Sequence, residues 1–245
     1  MKKFILLFAV LNLNLSLSAP NIGEINYKTS FGNCPSRTAG ALTIAMVKAF
    51  EDKRSLKGLK ESIVEEKLME KYYLSDYKVN YDPLEKLLKL KFECPLPLMK
   101  VQVYKNNGVD SYEAILVDNA QLFEPSYLTV LKEDNKLKKD LPSLALPVGN
   151  FEIETRKTIA KLVSGMEEDL RKNLSEIILN ELNELTIILS IREHTSNVFL
   201  GPDQWDEKVS KLEKIIKFLE AKKRVPSVIN LINTKKIVVK FSDKF

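Results

Sequence analysis

The sequence predicts an α+β fold, and two observations carry that prediction. Runs that alternate apolar and polar residues recur along the chain, as in Leu88-Lys89-Leu90-Lys91-Phe92 and again from Leu185 to Ile191, and period two is the mark of a half-buried strand. Between such runs stand segments with helical spacing, the clearest being Trp205, Val209, Leu212, Ile216 and Leu219. The chain has 245 residues, 44% apolar and 29% charged. That is enough to bury a core in one or two domains, and it excludes wholesale disorder.

Composition also narrows the function. The net charge is +5, and Lys2 and Lys3 supply part of it, so the surplus is too small to point to a nucleic-acid partner. None of the 8 glycines is spaced for a GxGxxG or P-loop phosphate cradle. His194 is the one histidine, and Cys34 and Cys94 are the two cysteines. That inventory excludes HExxH metalloproteases and Cys/His zinc ribbons. No pair of carboxylates stands out as acid and base. No catalytic, cofactor-binding or metal-binding residue is expected, and the chain reads as a protein other than an enzyme.

The elements follow in order. Met1-Lys2-Lys3 is a short basic start, and Phe4 to Leu11 is an unbroken apolar run. Small residues at Ser16 and Ser18 fit signal-peptidase cleavage after Ser18. Residues 1–19 are therefore a cleaved export signal or an uncleaved signal anchor, with a buried helix as the third reading. Either of the first two places the rest of the chain outside the cytoplasm. An exported chain with two cysteines points to one disulfide, Cys34–Cys94, against the alternative of two buried thiols.

Residues 20–37 form a polar, turn-rich lead-in. Ala39 to Phe50 is a helix or a buried strand, which periodicity does not decide. Residues 55–73 have helical spacing. Tyr77–Tyr81 and Leu88–Phe92 flank the turn at Asp82-Pro83 as a hairpin, and Val101–Tyr104 starts a new strand. Asn106-Asn107-Gly108 is a turn; Ala114–Val117 and Leu122-Phe123 are strands around a polar turn. Residues 132–142 form a Lys-rich surface loop; its stretch 132–139, diluted by Glu133 and Asp134, is a solvated loop unless it touches acidic head groups or wall polymer, and Leu144–Gly149 is a short apolar piece. Residues 155–172 form an amphipathic helix. Leu185–Ile191 and Val198–Leu200 form a hairpin around His194–Asn197, where His194 is an exposed turn residue unless it serves as a pH sensor or ligand. Asp203 is the expected N-cap of the last helix, with Glu207/Lys211, Glu213/Lys217 and Glu220/Arg224 as i,i+4 pairs and Pro226 as its stop. Val228–Ile232 and Ile237–Phe241 are the last two strands.

The second half resembles the bacterial cell-division family FtsQ/DivIB. The stretches that carry the resemblance are Val101–Tyr104, then Tyr112–Phe123 with a turn like the family's DxxGxxF, in which Ala120 stands at the glycine position. Leu146-Pro147-Val148-Gly149 resembles the family's LP…G loop, and Asn197–Gly201 resembles the end of its hairpin. The similarity covers about residues 100–245. It implies a small POTRA-like βααββ module over 38–104, followed at 105–245 by a mixed β domain with two packed helices.

The resemblance further implies a non-catalytic scaffold at the division septum, in the inner membrane and facing the periplasm, or soluble there if the signal is cut. Its partners would be small bitopic proteins of the FtsB/DivIC and FtsL type, with septal wall-synthesis proteins possible besides. They would bind through the final strand, at Lys236, Val238, Lys240 and Phe241. Trp205 is either core packing or a partner hot spot. A different class remains open: a soluble periplasmic chaperone or envelope-assembly module that binds extended peptides.

Overall fold

The computed structural model describes residues 25–104, 111–137, 140–148 and 152–241. The targeting segment 1–19, the turn Asn106-Asn107-Gly108, Lys138 and Lys139 of the Lys-rich loop, and Gly149 lie outside the described residues.

The fold mixes helices and strands in two sheets. The first part runs β1 (Asn26–Ser30), α1 (Ser36–Lys53), α2 (Leu56–Glu65), α3 (Leu68–Lys71), β2 (Asp76–Asp82) and β3 (Leu87–Glu93). Its sheet has the order β1-β3-β2, with β1 parallel and β2 antiparallel to β3. The ambiguous segment after residue 38 is a helix, because Ala39, Leu42, Met46 and Phe50 fall on one buried face. The segment 55–73 breaks into two helices at Lys67, whose φ is 49°. The strand β1 lies inside the expected lead-in. It carries no alternation of its own and exists through its pairing with β3.

The rest of the chain builds the second sheet. Its elements are β4 (Pro97–Tyr104), β5 (Ser111–Val117), β6 (Leu122–Phe123), α4 (Ser126–Glu133), β7 (Ser143–Pro147), α5 (Ile153–Gly165), α6 (Glu168–Asn173), β8 (Leu174–Leu179), β9 (Leu185–Ile191), β10 (His194–Gly201), α7 (Trp205–Ala221), β11 (Val228–Asn230) and β12 (Val238–Lys240). The nine strands are ordered β12-β11-β10-β9-β8-β7-β4-β5-β6. Because β4 pairs with β5 and β7, the boundary between the two parts falls near Cys94–Pro97 and not after Tyr104. Ala120 in the β5–β6 turn has φ 65°, a conformation that glycine adopts without strain.

One register row explains the large sheet's stability. Ala114, Val101, Leu144, Ile177, Ile187, Val198, Ile229 and Val239 are paired in sequence from β5 across to β12. All are apolar, and they meet Ile159 and Leu162 of α5, Leu170 of α6 and Leu212 and Ile216 of α7 in one core. On the other face of β5, Ile115 and Val117 pack on Tyr127, Leu128 and Leu131 of α4.

Several local expectations are corrected. The β9–β10 turn is only Arg192-Glu193, with φ 49° and 68°. His194–Asn197 are strand residues, since both turn residues with positive φ make the tightest hairpin connection. Asp203 does not cap α7. Gln204 takes that position with φ 51°, and the Asp203 carboxylate instead accepts from Lys208 Nζ at 2.7 Å. Glu207 and Lys211 pair as expected at 2.7 Å, whereas Lys217 pairs with Glu167.

One set of contacts closes the first part on itself, and a second joins it to the rest of the chain. The Cys34–Cys94 disulfide ties the loop before α1 to the end of β3, and the Asn33 side chain bonds both the N–H and the carbonyl of Cys94. Gly32, with φ 56°, approaches β3 so closely that a Cβ there would stand 2.9 Å from the Phe92 carbonyl oxygen. Across the junction, the Tyr73 and Ser126 hydroxyls share a hydrogen bond of 2.8 Å. Tyr73, Phe123 and Tyr127 form an aromatic cluster. The Tyr127 hydroxyl donates to the Pro95 carbonyl at 2.8 Å.

Candidate partner interface at the end of the large sheet

Among the described residues, the strand β12 ends the large sheet and has a neighbour on one side only, β11. It is short, three residues long, because its register with β11 runs only from Val228–Lys240 to Asn230–Val238. Alternation gives each side chain its task. Val239 pairs with Ile229 and packs on the core under α7. Val238 and Lys240 point to the opposite, uncovered face, where Val238 is 36% exposed. On that face Phe199 of β10, Asn230 of β11 and Val238 share one row.

The helix side of the same edge holds a groove of about 450 Å³ between α7 and β12, lined by Ile215, Phe218, Leu219, Val239 and Phe241 with Lys214 and Arg224. The Arg224 guanidinium lies 3.8 Å from the centre of the Phe241 ring. The Lys222 ammonium lies 4.2 Å from the centre of the Phe218 ring. Both are cation–π contacts, which hold the aromatic faces toward the cations. A second cleft shares Phe241 and Arg224 with the first and is lined also by Arg192, His194, Thr195, Lys223 and Ser227. Among the described residues, no carboxylate lines either recess. The edge therefore offers apolar surface within a basic frame, and it suits an acidic, amphipathic partner segment.

The residues singled out from the sequence are spread unevenly. Val238 and Lys240 are in β12, and Phe241 follows it directly. Lys236 lies in the turn before β12, its N–H donating to Asn233 at 3.2 Å. Trp205 opens α7, packs on the large core and donates its indole N–H to the Gly201 carbonyl at 2.8 Å, which is the core-packing alternative. Cys34 and Cys94 are bonded to each other in the first part of the chain. His194 begins β10 and lines the basic cleft.

Sequence reasoning missed Phe218, Ile232 and Phe199. Phe218 is 58% exposed and Ile232 47%. The signal for Phe218 was present: it is an apolar residue off the stripe that packs α7 on the sheet. Among the described residues, no group of three or more His, Cys, Asp or Glu side chains could hold a metal ion, and no helix is long and apolar enough to cross a membrane. In comparisons with known proteins, the chain matches no family model and no curated protein.

Proposed function

We propose that this protein is a non-catalytic scaffold of the bacterial cell-division complex, of the FtsQ/DivIB kind. It works on the outer face of the cytoplasmic membrane during septum formation. In this reading the first part is a POTRA-like module, and residues 96–241 are the β domain that receives small bitopic partners of the FtsB/DivIC and FtsL type. The observation that carries the reading is the position of β12 as the end strand of the large sheet. Its unpaired side has N–H and C=O groups available to a partner strand by β-augmentation.

A short edge flanked by lysines is also how proteins protect an edge from pairing. What favours binding is the apolar surface around it. Ile237 is 44% exposed and Phe218 58%, and apolar groups clustered beside an edge mark an interaction surface. The basic frame of Arg192, Lys222, Lys223 and Arg224 adds complementarity to an acidic partner and speeds encounter.

The test uses the organism's own small bitopic division proteins, purified, with the full-length chain as bait. Val238→Asp should abolish capture and leave circular dichroism and thermal unfolding unchanged, because Val238 faces away from the core. Capture undiminished by that variant overturns the reading. A fluorescent fusion should also form a midcell band late in the cycle. A uniform peripheral signal would leave the β12 surface without a role in division.

A further inference from the structure

Leu84 is 95% exposed, the highest value of any large apolar side chain among the described residues. It is held there by the turn between β2 and β3. The Asp82 carboxylate accepts from the N–H of Leu84 at 3.0 Å and of Glu85 at 3.3 Å. Pro83 fixes its own φ, and Lys86 closes the turn with φ 49°. An Asx turn of this kind sets the backbone locally, so the leucine is presented outward by a formed structure.

The pairing of β1 decides what lies next to it. Because β1 runs parallel to β3, with Asn26 opposite Leu87, the chain comes into the first module at the end that carries this turn. The Asn26 N–H donates to the Lys86 carbonyl at 3.0 Å. Ile25 is six positions beyond Ala19, the last residue of the apolar N-terminal stretch. Six residues span at most about 20 Å when fully extended. With that stretch retained in the bilayer, the end of the module bearing Leu84 stays within this distance of the lipid surface.

We infer that the β2–β3 turn is a membrane-contacting tip, at which Leu84 inserts among the lipid head groups and sets the orientation of the first module on the bilayer. The inference rests on the membrane-anchored reading above. One leucine binds a membrane feebly by itself. The anchor makes insertion an intramolecular step at high effective concentration, which is where a weak contact becomes effective. Tyr27, exposed and one residue into β1, is suited to the same interfacial level. In the turn itself the exposed Lys86 stands beside Asp82 and Glu85, so the contact is apolar and does not require anionic lipid.

The test places the full-length chain in phosphatidylcholine vesicles whose acyl chains are brominated near the head group. Leu84→Trp is compared with Leu182→Trp, which replaces another exposed turn leucine, in the second part of the chain. The emission added by Leu84→Trp should shift to the blue and be quenched by the brominated lipid, equally with and without anionic phosphatidylglycerol. The emission added by Leu182→Trp should do neither. If the protein resists an alkaline wash and Leu84→Trp behaves like Leu182→Trp, the inference is overturned and the anchored reading stands. If the wash removes the protein, the anchored reading fails and takes the inference with it.

Discussion

Lys208 has no exposure to solvent, and its ammonium stands 2.7 Å from the Asp203 carboxylate. The same nitrogen donates to the Leu200 carbonyl at 2.7 Å. One buried lysine thus fastens the end of β10 and the link after it to the first turns of α7. Asp203→Ala leaves the ammonium with a single partner, and the carboxylate it loses is 65% exposed and screened by water. The expected cost is about 1–2 kcal/mol in urea unfolding. Lys208→Ala also opens a cavity under the helix and should cost about 3 kcal/mol by the same measurement.

Tyr127 makes stability fall at high pH. Burial, with a smaller contribution from the Asp118 charge, pushes its hydroxyl well above the ordinary tyrosine range. The unfolded chain releases this proton near pH 10, while the folded chain holds it. The contribution is whole below about pH 10 and is lost as pH rises above it. Tyr127→Phe should cost about 1 kcal/mol at pH 8, the value of the hydrogen bond to Pro95. The gap between wild type and variant should close between pH 9 and pH 11 as read by thermal unfolding, on the scale of that ordinary pKa.

The disulfide Cys34–Cys94 closes a loop with a sequence separation of 60. In the chain-entropy account such a loop stabilises by about 4 kcal/mol. The double variant Cys34→Ala/Cys94→Ala should lower the urea midpoint by a corresponding amount. Hydrogen exchange should show the loss in β1, α1 and β3 and spare the large sheet, because both cysteines belong to the small core.

The turn Arg192-Glu193 is occupied by side chains poorly suited to its backbone. Both residues have positive φ, which favours Asn-Gly in a two-residue hairpin. Arg192→Asn combined with Glu193→Gly should therefore raise stability by about 1 kcal/mol. A lower melting temperature in the double variant would show that Arg192 contributes to the fold beyond its turn.

Phe218 separates binding from folding. Its ring is largely exposed on α7, so Phe218→Ser should change stability by no more than about 0.5 kcal/mol. Partner capture should fall, with Trp205→Phe as the opposite control. That variant loses the hydrogen bond to Gly201 and should cost about 1 kcal/mol of stability while leaving capture intact.

The sequence by itself determined the elements whose pattern is local. The β2–β3 and β9–β10 hairpins alternate with period two, and α7 carries an apolar stripe, so each announces its buried face within a few residues. The two cysteines were legible for a similar reason, being the only pair available. Other elements had no such signature. The strand β1 is polar and largely exposed, and only β3 makes it a strand. The strand β8 continues directly from α6, and α4 is only 8 residues long, too short to show a clear helical period.

Tertiary structure alone decided which surfaces were left uncovered. That β12 ends the sheet depends on the parallel pairing of β10 with β11, two strands separated by the whole of α7. That Leu84 stands where the chain comes into the first module depends on the parallel pairing of β1 with β3. Hydrophobic periodicity reports which face of an element is buried. Strand order is set by contacts between residues far apart in the chain, and it is strand order that puts Val238 on an end strand and the Leu84 turn beside the entry of the chain into the first module.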